Sequence, residues 1–198
     1  MGVEERMANG CNTIRLYSFQ TDVVYQVLKR DGVCYSKEEY VRKKYKESAK
    51  VFINAYGWFV KEAQHIVPKP EGAEYPYWAF TDLYNVDQTG DGHVLTLDVP
   101  IGEAILFDMF DWTKIMQMHY IGENESEEAT FSEELKNMGM NEFQIMTSNF
   151  YPEQKARIQE SWKRLFGHQQ AIEAGDNSGV HSVQAGLWCI KDEWIVKE

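Results

Sequence analysis

The sequence predicts an α+β fold: a compact mixed or antiparallel sheet with helices around it. Three observations lead there. Apolar residues alternate over several short stretches and recur at three and four residue steps over others, so both strand and helix periods are present. The two kinds of stretch do not alternate regularly, so a doubly wound parallel sheet is not the natural reading. Finally, the chain has 198 residues, 43% hydrophobic and 14% aromatic. That is enough to bury one sizeable core without a disulfide or metal staple.

Residues 1–12 are polar and read as a disordered or extended N-terminus, and 13–198 as a single α+β domain. Thr13 to Phe19 alternates and is rich in β-formers, which predicts a first strand. Thr21 can cap a short helix with Val23, Val24, Val27 and Leu28 on its apolar face, and Gly32 sits where a C′ glycine belongs. Ser36 and Glu39 have capping-box spacing. Behind them Val41, Tyr45, Phe52, Tyr56, Phe59, Ala63 and Ile66 recur with a helical period, which Gly57 could bend and Pro68 and Pro70 end.

Tyr75 to Phe80 predicts an aromatic strand, its start confined to a sheet edge by Pro76. Asn85 to Gly92 predicts a loop, and Val94 to Val99 and Ala104 to Phe107 two more strands parted by Pro100 and Gly102. A helix is expected from about Asp108, with Trp112, Ile115, Met116 and His119 on one face. Glu123 to Thr130 reads as an acidic mobile loop, and Ser132 to Met138 as a short helix. Pro152 suits the first turn of a helix running to Gly167. After a loop at Ala174 to Gly179, Val183 to Ile190 and Trp194 to Val196 are expected to be strands.

Composition narrows function by exclusion. The net charge of −11 disfavours long nucleic acids. Cys11, Cys34 and Cys189 are odd in number and widely spaced, which predicts reduced thiols and a cytoplasmic protein. No secretory signal and no membrane span are expected. The Walker, dinucleotide-binding, zinc-protease and nucleophile-elbow motifs are absent, and no two histidines stand at i and i+4. Asp87, Thr89, Asp91, Gly92 and Asp98 fall at EF-hand positions, but the last is a short aspartate and the flanks read as strands. A turn between strands is the plainer reading, and no metal site is expected. Glu123 to Glu142 holds seven glutamates and one lysine, which most simply makes a solvated face.

Polar residues set among aromatic strands are the candidate site. Arg15 alternates with Tyr17, and Gln20 follows where a helix begins. Asp108 and Asp111 stand where a strand gives way to a helix, and Gln184 opens a late strand. With Trp78 and Trp112 these eight residues are the expected ligand-binding set, because an arginine beside aromatics can hold a phosphate and stack a base. The plainer alternative makes Arg15 and Asp108 a buried ion pair between adjacent strands and Trp78, Trp112 and Trp188 core residues.

Several segments, taken in order, resemble a bacterial and phage family known as domain of unknown function 3841. They are Ile14 to Gln20, Asp31 to Val33, Glu74 to Phe80, Leu95 to Pro100, Ala104 to Trp112, Ser161 to Phe166 and Gln184 to Trp188. The family places an Asp-Phe-Asp step before the tryptophan, where this chain has Asp108-Met-Phe-Asp111-Trp112, so either aspartate can take that position. The resemblance brings no agreed catalytic residues and leaves any cofactor unknown.

Three functions remain in contention. One is a binding module for a nucleotide or other small ligand in the aromatic, Arg and Asp-lined pocket. Another is an NAD-consuming enzyme similar to ADP-ribosyltransferases, with Glu193 the late glutamate available to polarise a ribose. The third is a protein partner for the acidic segment 123–142.

Overall fold

The computed structural model describes residues 12–39, 42 and 49–197. Five strands form one antiparallel sheet: β1 (Thr13–Gln20), β3 (Tyr77–Phe80), β4 (His93–Pro100), β5 (Ala104–Asp108) and β6 (Val183–Leu187), in the order β4-β1-β3-β6-β5. β2 (Val33–Tyr35) and β7 (Cys189–Lys191) pair separately. The helices are α1 (Asp22–Asp31), α2 (Ala49–Ala63), α3 (Met109–Met116), α4 (Glu125–Asn137), α5 (Glu142–Thr147), α6 (Pro152–Ser161) and α7 (Gln169–Glu173). The α+β class expected from the two periodicities is the observed one.

Local chemistry explains most of these elements. Gly32 closes α1 in the left-handed conformation (φ 76°), where its N–H bonds the Leu28 carbonyl. Thr21 takes the N-cap position but its side chain makes no cap bond. α2 runs through Gly57, and Tyr56, Phe59 and Ala63 are buried along it. Ser36 bridges Tyr75, and Val41 and Tyr45 lie outside the described residues, as does Cys11.

Four expectations are corrected. Pro76 does not confine its strand to an edge: β3 is the central strand, because the ladder starts at Tyr77 and the missing proline N–H falls outside it. Glu123 to Thr130 is not a loop. The Asn124 side chain caps α4 by accepting from Glu127 N–H (3.0 Å), and Glu125, Glu127 and Glu128 in the first turn suit the positive end of the helix dipole. The helix from Pro152 stops at Ser161 and continues as a 3-10 segment over Trp162–His168. Trp194 ends a 3-10 turn, and only Ile195 bridges the sheet, at Leu97.

The connection between β4 and β5 sets the shape of the sheet. These strands are its two edges, yet only Ile101–Glu103 lies between them. Four Cα steps reach at most about 14 Å. Four strand spacings would separate the edges of a flat sheet by about 19 Å. In addition, Pro100 is level with Thr13 at one end of the sheet, while Ala104 is level with Leu187 and Tyr77 at the other. The sheet is therefore strongly coiled, its two edges brought together corner to corner.

Side-chain alternation divides the sheet into two faces. Leu16, Ala79, Leu97, Leu106, Ala185 and Leu187 line an aliphatic face, sealed by Leu28, Cys34, Ile172, Ile190 and Trp194. Phe107 and Ile105 line an aromatic face, covered by Tyr56 and Phe59 of α2 and Trp112 of α3. Gly186 lets α2 approach, since a Cβ there would sit 2.9 Å from the Phe59 ring. Cys34 and Cys189 are buried and unbridged, and burial pushes the Cys189 thiol up to about 11.

Each outer edge is covered. Val196 N–H bonds the Thr96 carbonyl on β4. On β5 the buried Gln169 side chain replaces a neighbouring strand. Its Oε1 accepts from Leu106 N–H (2.5 Å), and its Nε2 donates to the Ala104 carbonyl (3.1 Å). Gln169→Leu strands both groups in a fully buried site, at about 1–3 kcal/mol each. Thermal denaturation should show Tm lower by about 5–15 °C with the fold intact.

Candidate functional site

One register line crosses the whole sheet on its aromatic face: Thr96, Tyr17, Phe80, Gln184 and Phe107 are paired in that order. Gln184 stands between Phe80 and Phe107 on this line and is only 3% exposed. Its side-chain amide makes no hydrogen bond among the described residues. No fully buried side-chain N or O atom there lacks a partner, so the residual exposure of Gln184 falls on that amide. Tyr17, Phe80 and Trp78 beside it are half-buried.

Trp78 is tied into the core. Its Nε1 donates to Tyr56 Oη (2.6 Å), and its ring packs on Trp112 with centroids 4.8 Å apart. Trp112 is buried against Phe59 and Phe107 as well. Trp188 is buried, with Nε1 donating to the Val67 carbonyl. The core reading of the three tryptophans holds, with Trp78 still showing one side at the surface.

Arg15 does not pair with Asp108. It stands on β1 beside the edge strand β4, and β3 and β6 separate it from β5. Its partner is Asp98, directly opposite across the β1–β4 ladder, through Nε–Oδ1 (2.5 Å) and Nη2–Oδ2 (2.9 Å). This bidentate pair neutralises the guanidinium and leaves Nη1 without a hydrogen bond among the described residues. It also accounts for Asp98, which belongs to a strand and closes no cation loop. Asp87 instead accepts from the Thr89 backbone and hydroxyl. Among the described residues, no three His, Cys, Asp or Glu side chains are grouped to hold a metal.

Gln20 lies apart from the site. It follows Leu16 and Ser18 in the alternation, so it belongs to the opposite face, and its Nε2 donates to Ser18 Oγ (2.8 Å). Arg15, Tyr17, Trp78, Trp112 and Gln184 thus share the aromatic face, while Gln20 does not.

Asp108 and Asp111 form a second locus, at the corner where β5 passes into α3. Asp108 is 4% exposed. Its Oδ1 accepts from Phe110 N–H (3.0 Å), capping α3. Its Oδ2 accepts from His181 N–H and meets His181 Nδ1, both at 2.9 Å. Burial alone would raise the Asp108 carboxyl, but these donors outweigh it and hold its pKa below the ordinary value. Asp111 moves the other way. Burial pushes its pKa up, Lys114 at 3.5 Å offsets this only partly, and the Asp108 charge adds to the rise.

Sequence reasoning missed His181, which carries no motif and has only its place three residues before Gln184 to mark it. It also missed Phe80, the aromatic directly between Tyr17 and Gln184. The acidic segment proves to be engaged internally. Glu128 binds Lys114 (2.6 Å) and Gly122 N–H, Glu127 binds Tyr120 Oη, and Glu134 binds Arg157. Two cavities lie apart from the strip. One of about 270 Å³ is lined by Lys114, His119, Tyr120, Glu128, Ser132 and Glu142, and one of about 110 Å³ lies between Pro68, Trp188 and Trp194.

The two aspartates make opposite contributions to stability. The lowered pKa of Asp108 gives stability that is present above its ordinary value of 3.8 and is lost as pH falls through the folded value. The raised pKa of Asp111 makes its ionisation a cost above 3.8. At pH 7 Asp108→Asn should therefore lower Tm and flatten the acid limb of stability against pH. Asp111→Asn should raise Tm at pH 7. Denaturation scans from pH 3 to pH 8 check both signs.

No helix among the described residues is long and apolar enough to cross a membrane. No curated protein and no solved structure matches the chain. A family model, described as domain of unknown function (DUF3841), matches residues 15–196, nearly the full length, and the chain belongs to that family.

Proposed function

We propose that this is a cytoplasmic protein that binds a small planar ligand of the nucleotide class on the half-buried strip of its aromatic face. The observation that carries the reading is the Gln184 amide, almost buried and without a hydrogen bond to the described residues. An amide at the surface of the strip with no partner among the described residues can exchange its water contacts for a ligand offering one donor and one acceptor. A purine, pyrimidine or nicotinamide edge has that chemistry. Tyr17, Phe80 and Trp78 supply apolar and π surface beside the amide. The Arg15–Asp98 pair, already neutral, suits sugar hydroxyls better than a lone phosphate.

The internal pairing of Glu127, Glu128 and Glu134 supports this reading over the protein-partner one, since those carboxylates are already committed. A thermal-shift panel of NAD, ADP-ribose, ATP and GTP tests it. A ligand at a hundred times its dissociation constant stabilises by about 2.7 kcal/mol, or roughly 5–10 °C for a chain of this size. At least one member should give that rise, and Gln184→Leu, which keeps the volume and removes the amide, should abolish it. A flat panel overturns the reading.

A further inference from the structure

The corner formed by Asp108, Phe110, Asp111 and His181 holds more than a helix cap requires. A serine or asparagine at position 108 would satisfy Phe110 N–H without burying a charge. The His181 backbone N–H alone would tether the incoming strand. Instead, the Asp108 carboxylate also meets the His181 ring at Nδ1, 2.9 Å away, and the His181 side chain is 76% exposed. With Nδ1 turned to the buried carboxylate, Nε2 on the opposite side of the ring is directed outward. The ring packs on Phe110, itself half exposed, with centroids 5.0 Å apart. Asp111 stands three residues along the same helix start, a spacing that puts its Cβ about 5–6 Å from that of Asp108. Its side chain is 17% exposed and has only a loose ion pair with Lys114. His168 also faces this group, near enough for its charge to act on the Asp111 carboxyl.

We infer that this corner is a general acid–base site for hydrolysis of an ester or glycosidic bond, with His181 accepting a proton from water, Asp108 positioning the imidazole and Asp111 donating a proton to the leaving group. The inference stands on the corner's own geometry and does not depend on ligand binding at Gln184. In the step, His181 Nε2 takes a proton as the water oxygen bonds to the electrophilic carbon. The bond from that carbon to the leaving oxygen or nitrogen breaks, and the Asp111 proton passes to it. Water is added across one bond, nothing is oxidised or reduced, and both residues return to their starting states by proton exchange with solvent. Asp108 stabilises the imidazolium that forms. The raised pKa of Asp111 keeps a proton available to higher pH than an ordinary aspartate would.

Hydrolysis of p-nitrophenyl acetate and phenyl acetate by the full chain tests the inference, because neither ester needs a tailored pocket. His181→Gln, at an exposed position, should lower p-nitrophenyl acetate turnover by about a hundredfold. His93→Gln, which breaks the exposed His93–Asp22 pair, should leave it unchanged. Asp108→Asn should lower p-nitrophenyl acetate turnover by roughly a hundredfold, and Asp108→Glu, which keeps a carboxylate for the imidazole, should restore part of it. Asp111→Asn should slow phenyl acetate more than p-nitrophenyl acetate, since only the poorer leaving group needs the acid. Turnover undiminished in His181→Gln or in Asp108→Asn would overturn the assignment. Diethyl pyrocarbonate gives a further test on the unmodified sequence. Modification mapped to His181 should abolish turnover, and full turnover with His181 modified rejects the site.

Discussion

The three residues Ile101–Glu103 constrain everything else in the molecule. They must join opposite edges and opposite ends of one five-stranded sheet, and only a strongly coiled sheet lets them do so. Ala79, Ala104 and Ala185 stand among the leucines of the aliphatic face. The coiled sheet leaves both outer edges needing hydrogen-bond partners, and each is met locally: by the segment around Ile195 on β4 and by the Gln169 amide on β5. The aromatic face is closed by α2 and α3 over β6 and β5, while Tyr17 and Phe80 towards β1 stay half-buried.

Charge is distributed between these two environments in different ways. Around α4 the carboxylates meet cations and backbone donors near the surface, as in Glu134 with Arg157, whose guanidinium also lies over the Phe131 ring. Such pairs contribute little individually, so their effect is to fix the helix packing more than to stabilise it. At the β5–α3 corner the carboxylates are drawn inward. Asp108 is compensated by three hydrogen bonds, whereas Asp111 is not compensated fully. An uncompensated carboxylate beside a satisfied one is a standing cost to the fold.

Local signals in the sequence were legible where the physics is local. The C′ glycine at Gly32, the strand at Thr13 to Phe19 and the helix following Asp108 all stand where their residues place them. The acidic run was misread because its charge suggested solvent, although Asn124 followed by glutamates is itself a helix-start signal. Non-local facts were out of reach. Nothing near Arg15 indicates that Asp98, 83 residues away, is its partner. Alternation placed Tyr17 with Arg15 and could have placed Gln20 on the other face, but β3's central position depends on where the ladder begins relative to Pro76. His181 is legible only once Val183 is known to pair with Asp108.

The order of strands along the chain also bears on how the molecule comes to exist. β3 and β5 are not hydrogen-bonded to each other: the slot between them is filled by β6, which follows β5 by some 75 residues. As a nascent chain lengthens from its N-terminus, β1, β3 and β4 can associate early, but the inner edges of β3 and β5 remain unpaired until Val183–Leu187 emerges. The last of the five strands to be made is thus the keystone of the sheet. Its small residues, Ala185 and Gly186, suit a segment that must slide between two strands already in place. Contacts of such long sequence separation make folding slow, and during that interval the open slot is the part of the molecule most exposed to pairing with another chain.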